Sequence, residues 1–595
     1  MVIRHPIMFN QIRPTLYSIL FASLCFFFLQ AYSAFAIPNN HWIDGTPFLT
    51  GDFGRFSVVN EESEVNRAPA DQAPQIGDQR KFYAADFSRS SKAYFVNSTC
   101  RAVGEFCYIF VEDTQWQKEI VKSSGVAKIK KAFDDSTPAD NAKGIYEIEA
   151  KNLGLAPDQI DLDPKIYILI LDIPDSAGEG FIAGYFDPVN QKRGILRDSS
   201  GAQFRSNEVE MIYLDSHPLN IEDIMAREIL AHEFQHLIHW RYDPDEDIWV
   251  NEGCSDYASL FLCGYQSNQN SSHVEAFERN PEVSLVYWKG DMSNPIANYG
   301  ASYLWMLYLH EHYGGISTIS TVISQPENGI NGMNAVLSSR GYSQSFGDVF
   351  SDWKIANYLD DESFESGRYG YKSLDIHLEY SATNGKYPIN RVSRSIQSWA
   401  GDYVEFSGGS GASNLNMAFD SDKTTDNYNI RIISLKNGTT IAVEDMPIKS
   451  GEGRFSVSLF GYKVDEVIMV CDWRPKSEGD FDNSIDYRYS ASLGDEVGIN
   501  VAIIPNAING RYADVIAQID GDTEGDIPRI TITRLGKVII NRQKMIPLNV
   551  KSARNAVYIH QVFVPSSWKG IEVKWNIFYL GQLMVSGDLE NIGQR

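Results

Sequence analysis

The stretch EDIMAREILAHEFQHLIHW, Glu222 to Trp240, is the most informative in the chain. Helix formers dominate it and neither Gly nor Pro interrupts, so it predicts a helix, with Asn220 as N-cap and acidic Glu222 and Asp223 in the first turn, where the helix dipole favours them. His232 and His236 are four residues apart. On a helix that spacing turns both rings to one side and lets two imidazole nitrogens meet one metal ion. Glu233 falls about 100° round from His232, at the edge of the same face, within reach of a metal-bound water without being a ligand.

A catalytic metal site needs a third protein donor and keeps a fourth position for water. The expected donor lies in WVNEGCSDYASLF, a second helical pattern starting at Trp249 after the turn-prone DPDED. Glu252 sits in its first turn, and an antiparallel return of the chain brings it beside the histidines. Asp256 follows one turn later on the same face, placed to accept a hydrogen bond from a ligand imidazole.

His-Glu-x-x-His followed by Asn-Glu-x-x-Ser-Asp resembles the gluzincins, the thermolysin-like and aminopeptidase-like zinc peptidases. HEFQHLIHW with WVNEGCSDYA is most similar to the hyicolysin group of bacterial secreted metalloproteases. Metzincins place a Gly and a His three and six residues after the second histidine; here those positions are His239 and Tyr242. The resemblance covers residues 100 to 320 in pattern, and its specific motifs lie between 220 and 260. It implies an α+β zincin-like catalytic domain in which His232, His236 and Glu252 bind Zn2+, Glu233 activates water and Asp256 orients His232. The gap to Glu252 is shorter than in thermolysin-like enzymes, which trims the loop between the helices.

That assignment implies hydrolysis of polypeptide substrates: a zinc-bound water gives its proton to Glu233, and the carboxyl returns it to the leaving amine. Related enzymes add a Tyr or His at the oxyanion, and Tyr299 and Tyr303 in NYGASYLWMLYLHEHYGG are the candidates. Aromatic packing of a helix that stops at Gly314-Gly315 is the alternative for each. The exopeptidase relatives carry a Gly-x-Met-Glu-Asn segment, which this chain lacks, so an endopeptidase is expected. A strand such as Gly180 to Phe186 or Met211 to Asp215 would line the cleft and pair with an extended substrate. His239 shares the ligand face and is read as packing; His217, His273, His310, His312 and His377 have no partner spacing.

The parts read outward from this centre. Residues 1–36 have the form of an export signal, with Arg4 and Arg13, an apolar core from Leu16 to Leu29, and Ala34-Phe35-Ala36 as the cleavage site, so a secreted or periplasmic protein is expected. Residues 37–80, rich in Gly, Pro, Asp and Asn, read as a linker or a short prosegment. Residues 81–395 mix short apolar strands with helical periods and form the expected metallopeptidase domain. Beyond them strands alternate with turn signals such as SGGSGAS and KNG, predicting all-β sandwich modules at 396–494 and 495–595.

Composition narrows the partners. A net charge of −25 makes nucleic acid and anionic membranes poor partners, and no segment after the signal is long and apolar enough to span a bilayer. Loss of Cys25 with the signal leaves five cysteines; Cys100 and Cys107 bracket a hairpin-like stretch and are expected to pair, whereas Cys254 and Cys263 share a helix and are expected to pack. The acidic loops DSDKTTD at Asp420 and DGDTEGD at Asp520 are candidate Ca2+ sites, although solvated turns fit their spacing better. Two rival readings remain open: a secreted adhesin or carbohydrate-binding protein whose zinc domain is a scaffold, and an enzyme that processes its own segment 37–80.

Overall fold

Six consecutive apolar residues, IYILIL, make Ile166–Leu171 a strand buried on both faces, which requires a sheet covered on each side. The computed structural model supplies that sheet. It describes residues 41–50, 57–60, 73–89, 92–176, 180–197, 203–265, 271–288, 295–409, 413–421, 427–461, 464–476, 478–494, 498–505, 512–522, 528–549, 554–563, 573–579 and 582–588. The expected signal at 1–36 lies outside these residues, as does most of each candidate calcium loop.

The chain forms two compact units. The first comprises residues up to 136, 142–146 and 157–237; the second comprises 137–141, 147–156 and everything from 238 onward. The strands of the first are β1 (His41–Asp44), β2 (Ser57–Asn60), β3 (Gln79–Asp86), β4 (Lys92–Val103), β5 (Cys107–Glu112), β6 (Ile166–Leu171), β7 (Gly180–Phe186), β8 (Ile195–Arg197), β9 (Gln203–Arg205) and β10 (Met211–Asp215). Seven of them form one sheet in the order β1-β7-β10-β6-β5-β4-β3, and β2, β8 and β9 form a small second one.

In the large sheet β10, β6 and β5 run parallel, whereas β7 is antiparallel to β10. One face carries Phe82, Phe110, Tyr167, Leu169, Tyr185 and Tyr213 in a shared core. Alternation turns Ile109, Ile168 and Ile170, also buried, to the other face. Phe133 of the helix Ser123–Asp134 meets Phe234 edge-on at 5.1 Å, which anchors the middle of the helix that carries His232.

The second unit begins with helices. Ile248–Asp256 packs on Ile296–His312 at Gly253, where a Cβ would come within 2.7 Å of the Ser302 carbonyl oxygen. Ile296–His312 in turn meets Ser272–Arg279 at Gly300, where any Cβ would collide with the backbone of His273. Helix-to-helix contact this close needs glycine on one side.

Sheets dominate after these helices. Two five-stranded sheets cover Ala382 to Gly494 and enclose a core of Phe406, Leu415, Phe419, Ile430, Met469 and Tyr487. Two four-stranded sheets follow between Gly498 and Asp588. The fold is therefore mixed α/β at the start and sandwich-like at the end. The first strands of the sandwich-like pair, Ala382–Asn384 and Ile389–Gln397, begin before residue 396.

Two expectations need correction. Cys100 and Cys107 are both free, because the strand register sets Cys100 opposite Phe110 and Val103 opposite Tyr108. The two cysteines are offset by three pair positions, about 10 Å along the strands, beyond disulfide reach. Part of the segment read as a linker is also regular structure: β1 is a full member of the large sheet, parallel to β7.

Candidate metal centre

The predicted helix runs from Ile224 to Tyr242, and Asn220 caps the turn just before it through a bond from Glu222 N to Asn220 Oδ1 at 3.1 Å. Two turns inside the helix, the His232 and His236 rings lie 4.8 Å apart, with their Nε2 atoms separated by 3.1 Å. Both rings are buried. Trp42 of β1 packs edge-on against His232 at 5.2 Å and fixes its outer side.

Asp44, His232, His236 and Glu252 each offer one ligand atom, and these atoms all lie within 4.8 Å of one another. Among the described residues no other group of His, Cys, Asp and Glu is so arranged. Three members were legible in the sequence; Asp44 was not. Its Oδ2 lies 3.0 Å from His236 Nε2 and 3.8 Å from His232 Nε2. Burial alone would raise the Asp44 carboxyl, yet attraction and hydrogen bonding from His236 and His232 hold it well below the usual carboxylate range.

This donor set suits a metal ion. Two carboxylates and two ring nitrogens gathered this closely, with less than 3% of any of the four residues exposed, need positive charge among them, from a ring proton or a metal ion. Nitrogen and carboxylate donors suit a divalent metal ion, and bonds of about 2.0–2.1 Å would place tetrahedral ligands about 3.3–3.4 Å apart. The separations of 3.0, 3.1 and 3.8 Å straddle that edge.

Glu233, the expected base, is fully buried beside this group. Its Oε2 lies 3.4 Å from Thr46 Oγ1, and its Oε1 presses on the face of β7, where a Cβ on Gly184 would sit 2.9 Å from it. Glycine at 184 is what lets this carboxylate lie flat against the strand.

No family model matches the chain. No curated protein matches it either. Among solved structures, a β-glucuronidase from an uncultured Clostridium sp. is similar over 32% of this chain and 34% of its own, with 12% identity and a TM-score of 0.13. That likeness carries no argument about fold or activity.

The remaining candidates fall within the second unit. Asp256, expected to orient His232, lies with a carboxylate oxygen 2.8 Å from His273 Nδ1. Tyr299 stacks on His273 at 4.7 Å and meets Trp288 edge-on at 4.8 Å. Tyr299 and Tyr303 are both fully buried in the helix Ile296–His312. His273 has no partner spacing in the sequence, and Ser271, whose side chain caps the helix that carries it, marks only that helix. Tyr257 begins a π-helical turn that runs to Leu262, and its hydroxyl lies 2.8 Å from His310 Nδ1. His239 is fully buried.

Proposed function

We propose that this chain is a secreted zinc-dependent endopeptidase in which His232, His236 and Glu252 hold Zn2+ and Glu233 is the general base. The observation that carries the reading is the juxtaposition of two imidazoles from one helix with the Glu252 carboxylate and, one residue from His232, a second buried carboxylate outside the ligand set. When bound, Zn2+ lowers the pKa of water towards 7 and polarises the carbonyl to be attacked. Glu233 would accept a proton from the attacking water at a carboxylate oxygen and return it to the departing amine nitrogen. His232 and His236, whose Nε2 atoms face one another at 3.1 Å, would hold the ion as neutral imidazoles. Tyr299 and Tyr303 remain the candidates for stabilising the oxyanion, with His273 beside Tyr299. An exported, acidic protein with polypeptide as its substrate fits the positively charged, then apolar, start of the sequence. Among the described residues no helix is long and apolar enough to cross a membrane.

One observation favours the rival reading of a scaffold beside binding modules: with Asp44 the group has four protein donors, the number that closes a structural zinc site. Metal analysis with casein hydrolysis separates the two, applied to the secreted form of the wild type, Glu233→Gln and Glu252→Ala. Glu233→Gln is expected to keep zinc and lose turnover, and Glu252→Ala to lose metal as well. Hydrolysis that survives Glu233→Gln, or zinc content unchanged by Glu252→Ala, overturns the proposal.

A further inference from the structure

The segment from His41 to Thr50 does more than complete a sheet. Without β1, the strand β7 would be the edge, with its outer backbone groups available to an extended chain. β1 takes that place in parallel register, His41 opposite Gly180 and Ile43 opposite Ile182, and Gly45 N then donates to Gly184 O at 2.9 Å. The residues that follow cover the chemistry. Asp44 presents Oδ2 to the two ligand imidazoles, while its Oδ1 accepts from Thr46 N at 2.9 Å. Thr46 Oγ1 accepts from Phe186 N at 2.9 Å and lies 2.9 Å from Asp44 Oδ1 and 3.4 Å from Glu233 Oε2, so its one hydrogen is directed at the carboxylates on either side. Trp42 closes over His232.

We infer that residues 41–50 are an inhibitory strap, with Asp44 filling the coordination position that water needs and Thr46 masking the base. The inference rests on the peptidase reading and supplies its regulation. A fourth protein donor is incompatible with a bound water in a four-coordinate site, and a strand on the β7 edge excludes an extended peptide from the same hydrogen bonds. Hence the chain with its strap seated is latent. Hydrolysis of one peptide bond between Thr50 and Ser57, ahead of β2 and consuming one water, would leave four residues of β1 and a short helix as the strap's regular structure. Pieces that short do not stay bound unaided.

Position 45 offers a way to lift the strap while keeping every candidate ligand. A Cβ on Gly45 would lie 2.7 Å from Phe87 Cζ and 3.0 Å from both Ile182 Cγ2 and Tyr185 Cβ, so Gly45→Leu cannot be seated. Asp44→Ala removes the latching carboxylate itself. The test uses the full chain, its N-terminus checked by intact mass, loaded with cobalt(II) in place of zinc and titrated with acetohydroxamate while the visible spectrum is followed. In parallel, the zinc form is assayed on casein.

The uncut wild type is expected to resist acetohydroxamate, whereas Asp44→Ala and Gly45→Leu take it up with a change in the cobalt bands and hydrolyse casein about tenfold faster or more. Wild type that binds acetohydroxamate as readily as both variants overturns the strap and leaves the peptidase reading standing. Variants that bind it without hydrolysing casein support the strap and count against the peptidase. Loss of metal from Asp44→Ala, with Gly45→Leu still closed to acetohydroxamate, makes Asp44 a permanent ligand and also overturns the proposal.

Discussion

His273 Nδ1 and a carboxylate oxygen of Asp256 lie 2.8 Å apart in a fully buried pair. A carboxylate can only accept, so Nδ1 carries the hydrogen and the ring's tautomer is set by Asp256. Asp256→Ala strips that acceptor from a buried ring, at a cost of about 1–3 kcal/mol. The expected outcome is a thermal transition lowered by several degrees, with Asp256→Asn, which keeps one acceptor oxygen, falling between the two. Equal melting of all three proteins would mean that the pair contributes nothing.

Chelation bears on stability as well as activity. Without positive charge among them, Asp44, Glu252 and the facing His232 and His236 nitrogens form an uncompensated buried set. Treatment with EDTA is expected to lower the melting temperature by several degrees, and stoichiometric zinc to restore it. Differential scanning fluorimetry before and after dialysis reads this directly, and an unchanged transition would argue against a bound metal.

Gly184 is the position at which β7 touches the base. Besides approaching Glu233 Oε1, a Cβ there would lie 2.9 Å from Ile229 Cγ2 and 3.0 Å from the Tyr213 carbonyl oxygen. Gly184→Val must therefore push Glu233 off the strand, with overpacking strain of about 1–3 kcal/mol. Zinc content measured by mass spectrometry should persist while hydrolysis falls by about 10²-fold or more, the scale of misplacing a catalytic group. Full hydrolysis in that variant would remove Glu233 from the mechanism.

Lys354 offers a pH signature of its own. Its ammonium is buried in the second unit, 4.9 Å from the Tyr403 ring, with Gly401 leaving the space it fills. Burial pushes its pKa down to about 8, against 10.5 for an ordinary lysine. Between those values the unfolded chain holds a proton that the folded chain lacks, so this group makes folding more favourable as pH rises and contributes no slope below about pH 8. Relative to Lys354→Met, wild type should gain up to about 1.4 kcal/mol per pH unit between pH 8 and 10. Parallel denaturation curves across that range would refute the depressed value.

The helix bearing His232 and His236 was legible because its information is local: spacing, capping and uninterrupted helix formers all lie within about twenty residues. Glu252 was legible for the same reason, one turn into a second helix. Asp44 was not. HWIDG has too few residues to declare a strand, and its role arises from pairing with β7 far along the chain. His273 stayed hidden because its tie to Asp256 is tertiary. The Cys100–Cys107 expectation failed because proximity in sequence says nothing about the register of two paired strands. Alternation of apolar residues marked the later strands, but not which sheet each would join.

Between Ile43 and Asp44 the pairing with β7 slips by one residue, from Ile182 to Gly184. Side chains alternate along a strand, so Trp42 and Asp44 turn to the same side, one against each histidine of the pair. Adding or deleting a single residue at this point would swing Asp44 to the opposite side, even if every amino acid around it were kept. What this short segment must preserve is therefore a count, the number of residues from tryptophan to aspartate, more than the chemistry of the residue between them.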